Sequence, residues 1–140
     1  MMNIGIVGHE AAKFTPETEA TAKAIIRDLL SDPLSVCVSG HCHLGGIDIW
    51  AEEIADELGR PKIIHVPKTL RWEGGFKQRN LAIVKDSDEV HCIVVTTLPG
   101  TYAGMRFNSC YHCGTSDHVK SGGCWTAKHS RCGVWHKVSG

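Results

Sequence analysis

The chain has 140 residues, a hydrophobic share of 42%, and 15 Lys+Arg against 15 Asp+Glu. That length suits one domain, 1–140, and the even charge balance lacks the electrostatic footprint of a dedicated duplex-DNA binder. No stretch approaches the roughly 20 apolar residues of a spanning helix, and "MMNIGIVGHE" lacks the basic and apolar segments of an export signal; the expectation is a cytoplasmic protein with no membrane partner.

"NIGIVG" is a short Ile/Val run ending at glycine, which predicts a buried strand. Thr15-Pro16-Glu17 follows as an N-cap, a first-turn proline and an acid at the positive helix end, opening a helix to about Leu30. "LSVCVSG" is a second buried strand. After "HCHLGG" an amphipathic helix carries Ile47, Ala51, Ile54, Ala55 and Leu58 on one face, with Gly59 as its C-cap. "KIIHVP" predicts a third strand, "FKQRNLAIVKDSD" a third helix and "EVHCIVV" a fourth strand. Residues 96–120 then lose all periodicity. This stretch of roughly 25 residues is too long for a bland connection, so 97–120 is read as a functional or metal-stapled insertion. "SGGCWTAKHSRCG" gives a turn and a short helix, and "VWHKVSG" a last edge strand. The alternation implies an α/β domain, doubly wound and Rossmann-like, with a mostly parallel five-stranded sheet flanked by helices.

In such sheets, ligands bind beyond the carboxyl ends of the strands. Three loops place small residues there: Gly8-His9, Ser39-Gly40 with Gly45-Gly46, and Ser121-Gly122-Gly123. Glycine admits backbone amides close to a phosphate, and a helix starting just beyond adds its positive end. The other reading of these glycines is tight turns or helix–strand packing. Asp48, in the first turn after Gly45-Gly46, can cap its helix or meet a ribose hydroxyl. Arg79 can close over a phosphate while Asn80 fixes the neighbouring loop; both can equally be solvated or capping residues.

Seven cysteines without an export signal favour a metal site plus free thiols over disulfides. Cys110-x2-Cys113-x4-His118-x5-Cys124 departs by one residue from the zinc knuckle, whose last gap is four. Cys-x2-Cys lets two thiolates reach one tetrahedral ion from a tight turn, and Gly114 supports that turn. His112, Cys42 and His43 compete for the fourth position. A closed four-ligand site points to structural zinc, and Cys124 next to Gly123 would let one ion fix both the insertion and the glycine turn.

"GIVGHE", "SGHCHLGGIDIWAEEIADELG", "RWEGGFKQRNLAIVKDSDEV" and "SGGCWTAKHSRCGVWHKV" together resemble the SLOG superfamily of Rossmann-like nucleotide-binding domains. That group takes in the DNA-processing protein A fold and the "lonely guy" phosphoribohydrolases. The resemblance covers nearly the whole chain outside the insertion. It implies that Gly8, Ser39, Gly40, Gly46, Asp48, Arg79, Asn80, Gly122, Gly123 and Thr126 surround a nucleotide-like ligand. The phosphoribohydrolases carry Pro-Gly-Gly-x-Gly-Thr-x-x-Glu at the last turn. Here serine stands for the proline, Trp125 for a glycine and His129 for the glutamate. Histidine titrates near neutrality but supplies no carboxylate to stabilise an oxocarbenium ion. Glu52, one turn after Asp48, is the other carboxylate considered, expected mainly in a surface salt bridge or facing solvent.

The leading expectation is therefore binding of a nucleotide or nucleotide-derived small molecule, of sensor or carrier type, with structural zinc. An N-glycosidic hydrolase or transferase using Asp48, Glu52 or His129 is the second. A single-strand nucleic-acid binder is the third and less favoured. A homo-oligomer is compatible with all three.

Overall fold

A computed structural model describes residues 2–107, 109–115 and 117–140; Asn108 and Ser116, within the predicted insertion, lie outside the described residues. The elements run β1 Met2–Gly8, α1 Pro16–Leu29, β2 Ser35–Ser39, α2 Ile47–Leu58, β3 Lys62–Ile64, α3 Lys77–Asp86, β4 Glu89–Val95, α4 Gly122–His129 and β5 Gly133–Val138. The five strands form one sheet in the order β3-β2-β1-β4-β5, and every pairing is parallel. The chain winds outward from β1 to β3, then returns through α3 to β4 on the other side of β1. The switch point lies between β1 and β4.

Strand alternation assigns each side chain to one of two layers. Ile4, Ile6, Ile93 and Val95 pack with Ala22 and Ile26 of α1 and Ile47, Ala51 and Ile54 of α2. Val7, Val90, Cys92 and Val94 face the other way, onto Ile83 of α3 and Cys124 and Ala127 of α4. Helices thus cover both faces, as β-strands buried on each side require.

Local signals act as their chemistry dictates. Thr15 Oγ1 accepts from the Thr18 N–H at 3.2 Å while Thr18 Oγ1 accepts from the Thr15 N–H at 2.8 Å, a reciprocal capping box ahead of Pro16. Gly59 closes α2 in the left-handed conformation (φ 72°). Two elements are shorter than their sequence patterns. β3 ends at Ile64 rather than running through "HVP": after His65 donates its N–H to Ser39 O (2.8 Å), β2 offers no further partner. α3 stops at Asp86, with Ser87 already extended.

Residues 96–120 leave the end of β4 and come back to it. The Val119 N–H donates to Val95 O at 3.0 Å. His9, expected at the ligand rim, instead lies buried (2% exposed) and locks this return. Its Nδ1 accepts from the Val95 N–H at 3.1 Å and its Nε2–H donates to Lys120 O at 2.8 Å. Burial holds the imidazole down at about 3, against the backbone bond to Lys120, which favours the charged form. A second ring proton would also face the Val95 N–H. The folded pKa lies below the unfolded value, so His9 contributes stability that is full above pH 6.5 and lost as pH falls towards 3. Urea midpoints at pH 7.5 and 5.5 are expected to drop more for the native chain than for His9→Gln; equal drops would remove His9 as a source of acid lability.

Candidate functional site

The insertion carries its predicted cluster intact. One ligand atom each from Cys110, Cys113, His118 and Cys124 lies within 4.8 Å of every other, a set that can hold a metal ion. His118 Nε2 sits 3.4 Å from Cys124 Sγ, close to the spacing of tetrahedral ligands with metal–ligand bonds of about 2.0–2.3 Å. The local backbone explains the convergence. Cys113 and Gly114 both donate their N–H to Cys110 O, at 3.2 and 3.0 Å, and Gly114 takes φ 68° so that Thr115 can pair back onto Cys110. Cys124 enters from the first turn of α4, so the cluster ties the insertion to the sheet-packed helix.

The surroundings suit a cation. His118 Nδ1 donates to Asp117 Oδ1 at 2.6 Å, leaving Nε2 as the ligand atom, the arrangement that orients histidines on metals. Asp117 also pairs with Lys137 and accepts from Thr115 Oγ1, and these two contacts, with that from His118, hold its carboxyl far below the usual range. Burial pushes the Cys110 thiol up, but hydrogen bonds from the backbone of Ser121 and Cys113 and from Cys124 bring it down to about 7. The Cys124 thiol is driven up by its contact with Cys92 (Sγ–Sγ 3.9 Å) and by burial, while the Trp135 indole favours its thiolate. That indole Nε1 is buried without a hydrogen-bond partner. A thiolate at Cys124 supplies the missing acceptor, so the donor set fits an ion that ionises its cysteines. Asp117 and Trp135 were not foreseen. Nothing in the sequence marks Asp117, because the orientation of its neighbour's ring is invisible there.

Beside the cluster, a cavity of about 590 Å³ opens beyond the carboxyl end of β1. Val7 and Gly8 form its base. α2 contributes Asp48, α3 contributes Arg79, Asn80 and Ile83, and α4 contributes Gly122, Gly123, Trp125 and Thr126. Its walls are aromatic: Trp72 and Trp125 meet edge to face at 4.8 Å, with Phe76 and Tyr111 nearby. Tyr111 and His112, which lie between the two cysteines of the metal turn, line the same cavity, as does Lys120. Lys120 Nζ lies 4.3 Å from the Phe107 ring centroid and 5.0 Å from that of Tyr111. Neither Trp125 nor Phe76 has a polar signature in the sequence that marks a cavity wall.

The polar groups are fixed by the fold. Arg79 Nη1 donates to Gly40 O at 2.6 Å and its Nε to Asn80 Oδ1 at 2.7 Å, while the guanidinium rides over Phe76. Asp48 Oδ2 accepts from the Cys42 N–H at 3.1 Å. Burial pushes its carboxyl up to about 6, against the pull of Arg79.

No family model matches the chain. Neither the curated proteins nor the solved structures include a significant match.

Of the residues expected around a ligand, Gly8, Asp48, Arg79, Asn80, Gly122, Gly123 and Thr126 line this cavity, whereas His9, Ser39, Gly40, Gly45, Gly46 and Ser121 do not. Each of these six has another task. Arg79 lies over Gly40, where a Cβ would fall 2.6 Å from its Nη1. Gly46, at φ 84°, passes so near the chain at His9–Ala11 that a Cβ would lie 2.4 Å from His9 O, and Gly45 (φ 75°) abuts Ala11. Ser121 caps α4, accepting from the Gly123 N–H at 3.1 Å. Ser39 donates to Glu52 Oε2 at 2.7 Å. Glu52 is not solvated, as expected, but buried, with Oε1 also 2.8 Å from His41 Nδ1. His129 is exposed, stacked on Trp125, with its Nδ1 donating to Trp125 O. Of the three acid–base candidates, only Asp48 reaches the cavity.

Proposed function

We propose that this domain binds a nucleotide or nucleotide-derived small molecule in the cavity beyond β1, with a structural zinc ion on Cys110, Cys113, His118 and Cys124. The observation that carries this reading is the gathering, in one cavity, of aromatic walls, the cations Arg79 and Lys120, and the buried polar pair Asp48 and Asn80. Planar bases stack on aromatic side chains, and lysine and arginine offset a phosphate's charge. Gly122, at the N-terminal end of α4, is the one glycine of its turn where a Cβ would meet nothing within 4 Å, so an anion can approach the helix end there. The resemblance to nucleotide-binding SLOG domains points the same way. Binding without turnover agrees with His129 standing where the hydrolases carry glutamate.

Zinc, in this reading, closes a four-ligand site and holds the Tyr111–His112 wall in place. It supplies charge and rigidity, not a vacant coordination position.

Calorimetric titration with nucleoside monophosphates is expected to give saturable binding that weakens roughly tenfold in Lys120→Ala, the loss typical of one charge-assisted contact. No free base should accumulate on prolonged incubation. Absence of binding would end the nucleotide reading, and base release would shift it to a glycosidic hydrolase with Asp48 as the acid–base group.

A further inference from the structure

The deep polar groups of the cavity are fixed in orientation, and this restricts what they can read. Asp48 and Asn80 are each only 7% exposed, yet both line the cavity, among the apolar side chains of Val7, Phe76 and Ile83. Arg79 Nε can only donate, so the atom of Asn80 that it meets at 2.7 Å is the carbonyl oxygen. Arg79 is itself anchored on Gly40 O, so the Asn80 amide cannot turn over without losing this bond. Asn80 Nδ2, with two N–H donors, is left without a partner among the described residues. The Asp48 carboxylate is acceptor-only. Oδ2 takes the Cys42 N–H at 3.1 Å and keeps a lone pair, and Oδ1 has no donor among the described residues.

With Arg79 held on Gly40 O and Asn80 Oδ1, Asp48 and Asn80 offer a ligand two acceptor oxygens and one donor nitrogen. Arg79 is bonded to Gly40 O and Asn80 Oδ1 and shares its charge with Asp48, which repels a phosphate, so the anionic end of a ligand belongs near Lys120 and the neutral ring end goes deep. Among the four common bases, one Watson–Crick edge carries two adjacent donors beside an acceptor: guanine, through its 2-amino group, N1–H and O6. Adenine and cytosine each set an acceptor beside their amino group, and uracil flanks its one N–H with carbonyls. An acceptor facing the buried carboxylate is unfavourable.

We infer that the cavity selects a guanine nucleotide, with Asp48 accepting from N1–H and the 2-amino group and Asn80 Nδ2 donating to O6. This rests on the nucleotide reading and adds the identity of the base. It is tested by calorimetry on the native protein with GMP, IMP and AMP, followed by Asp48→Asn, a substitution of equal size. A bidentate base contact discriminates by a factor of roughly ten to a hundred. GMP is expected to bind tighter than AMP by such a factor, with IMP, which lacks the 2-amino group, in between. Asp48→Asn is expected to weaken GMP by about tenfold or more and bring the GMP-to-AMP ratio towards one. AMP binding as tightly as GMP, or Asp48→Asn weakening both equally, overturns the assignment and moves Asp48 to the sugar. If none of the three nucleotides binds, the nucleotide reading fails and the base assignment falls with it.

Discussion

Stripping metal from the purified protein with a chelator is expected to lower Tm by roughly 10–15 °C, corresponding to a few kcal/mol of stability. The insertion has almost no core of its own. Among its described residues the buried ones are Cys110, His118 and Val119, so two of the three are ligands. Without an ion, thiols and the His118 Nε2 are crowded together in a desolvated site, and the Trp135 N–H keeps no acceptor. Cys110→Ser should lose the metal and match the chelated protein. Cys132→Ser, at an exposed cysteine outside the cluster, should change neither metal content nor Tm. Elemental analysis is expected to give about one zinc per chain. A metal-free preparation with the same Tm as the metal-loaded one would show that the cluster is no staple.

Gly46→Ala is expected to cost at least about 3 kcal/mol, and to do so through the backbone alone. Gly46 is the N-cap of α2 with φ 84° and ψ −143°, a region that residues with a side chain scarcely enter. The added Cβ would also fall 2.4 Å from His9 O and 2.6 Å from Ala11 N, both rigid main-chain atoms. Neither contact can relax by a rotamer change, and the Ile47 N–H bond to His9 O at 3.2 Å would be lost with any shift. Gly122→Ala is the informative control. It adds a methyl where nothing lies within 4 Å, and its effect on the urea midpoint should stay within about 0.5 kcal/mol. Equal losses for the two variants would show that the His9–Gly46 crossing carries no special constraint.

Much of the architecture was legible because it depends on local, repeating signals. The apolar run Glu89–Val95 is a strand along its whole predicted length, and the face Ile47, Ala51, Ile54 and Ala55 is the buried side of α2. The metal cluster was equally readable, since Cys-x2-Cys constrains geometry within four residues. The cavity was legible only in part. Gly8 and Gly46 stand out in the sequence for a reason that it could not separate from ligand binding. A Cβ at Gly8 would lie 2.1 Å from Ile93 O, so the missing side chain makes room for the neighbouring strand. His9 and Glu52 were misplaced for a related cause. A histidine after a strand reads as a rim group and a mid-helix glutamate as a solvated one, and only the fold reveals that β4 and the returning insertion close over His9 and that Glu52 turns inward onto Ser39 and His41. The aromatic walls come from segments distant in sequence, Trp72 to Trp125, and no spacing rule links them.

Trp72 and Trp125, packed edge to face, both line the proposed ligand cavity, so tryptophan fluorescence reads the site directly. Titration of the zinc-loaded protein with nucleoside monophosphates is expected to quench emission along a saturable curve, to a lesser depth in Trp125→Phe. Emission that stays unchanged for every nucleotide up to about 1 mM would contradict binding in this cavity.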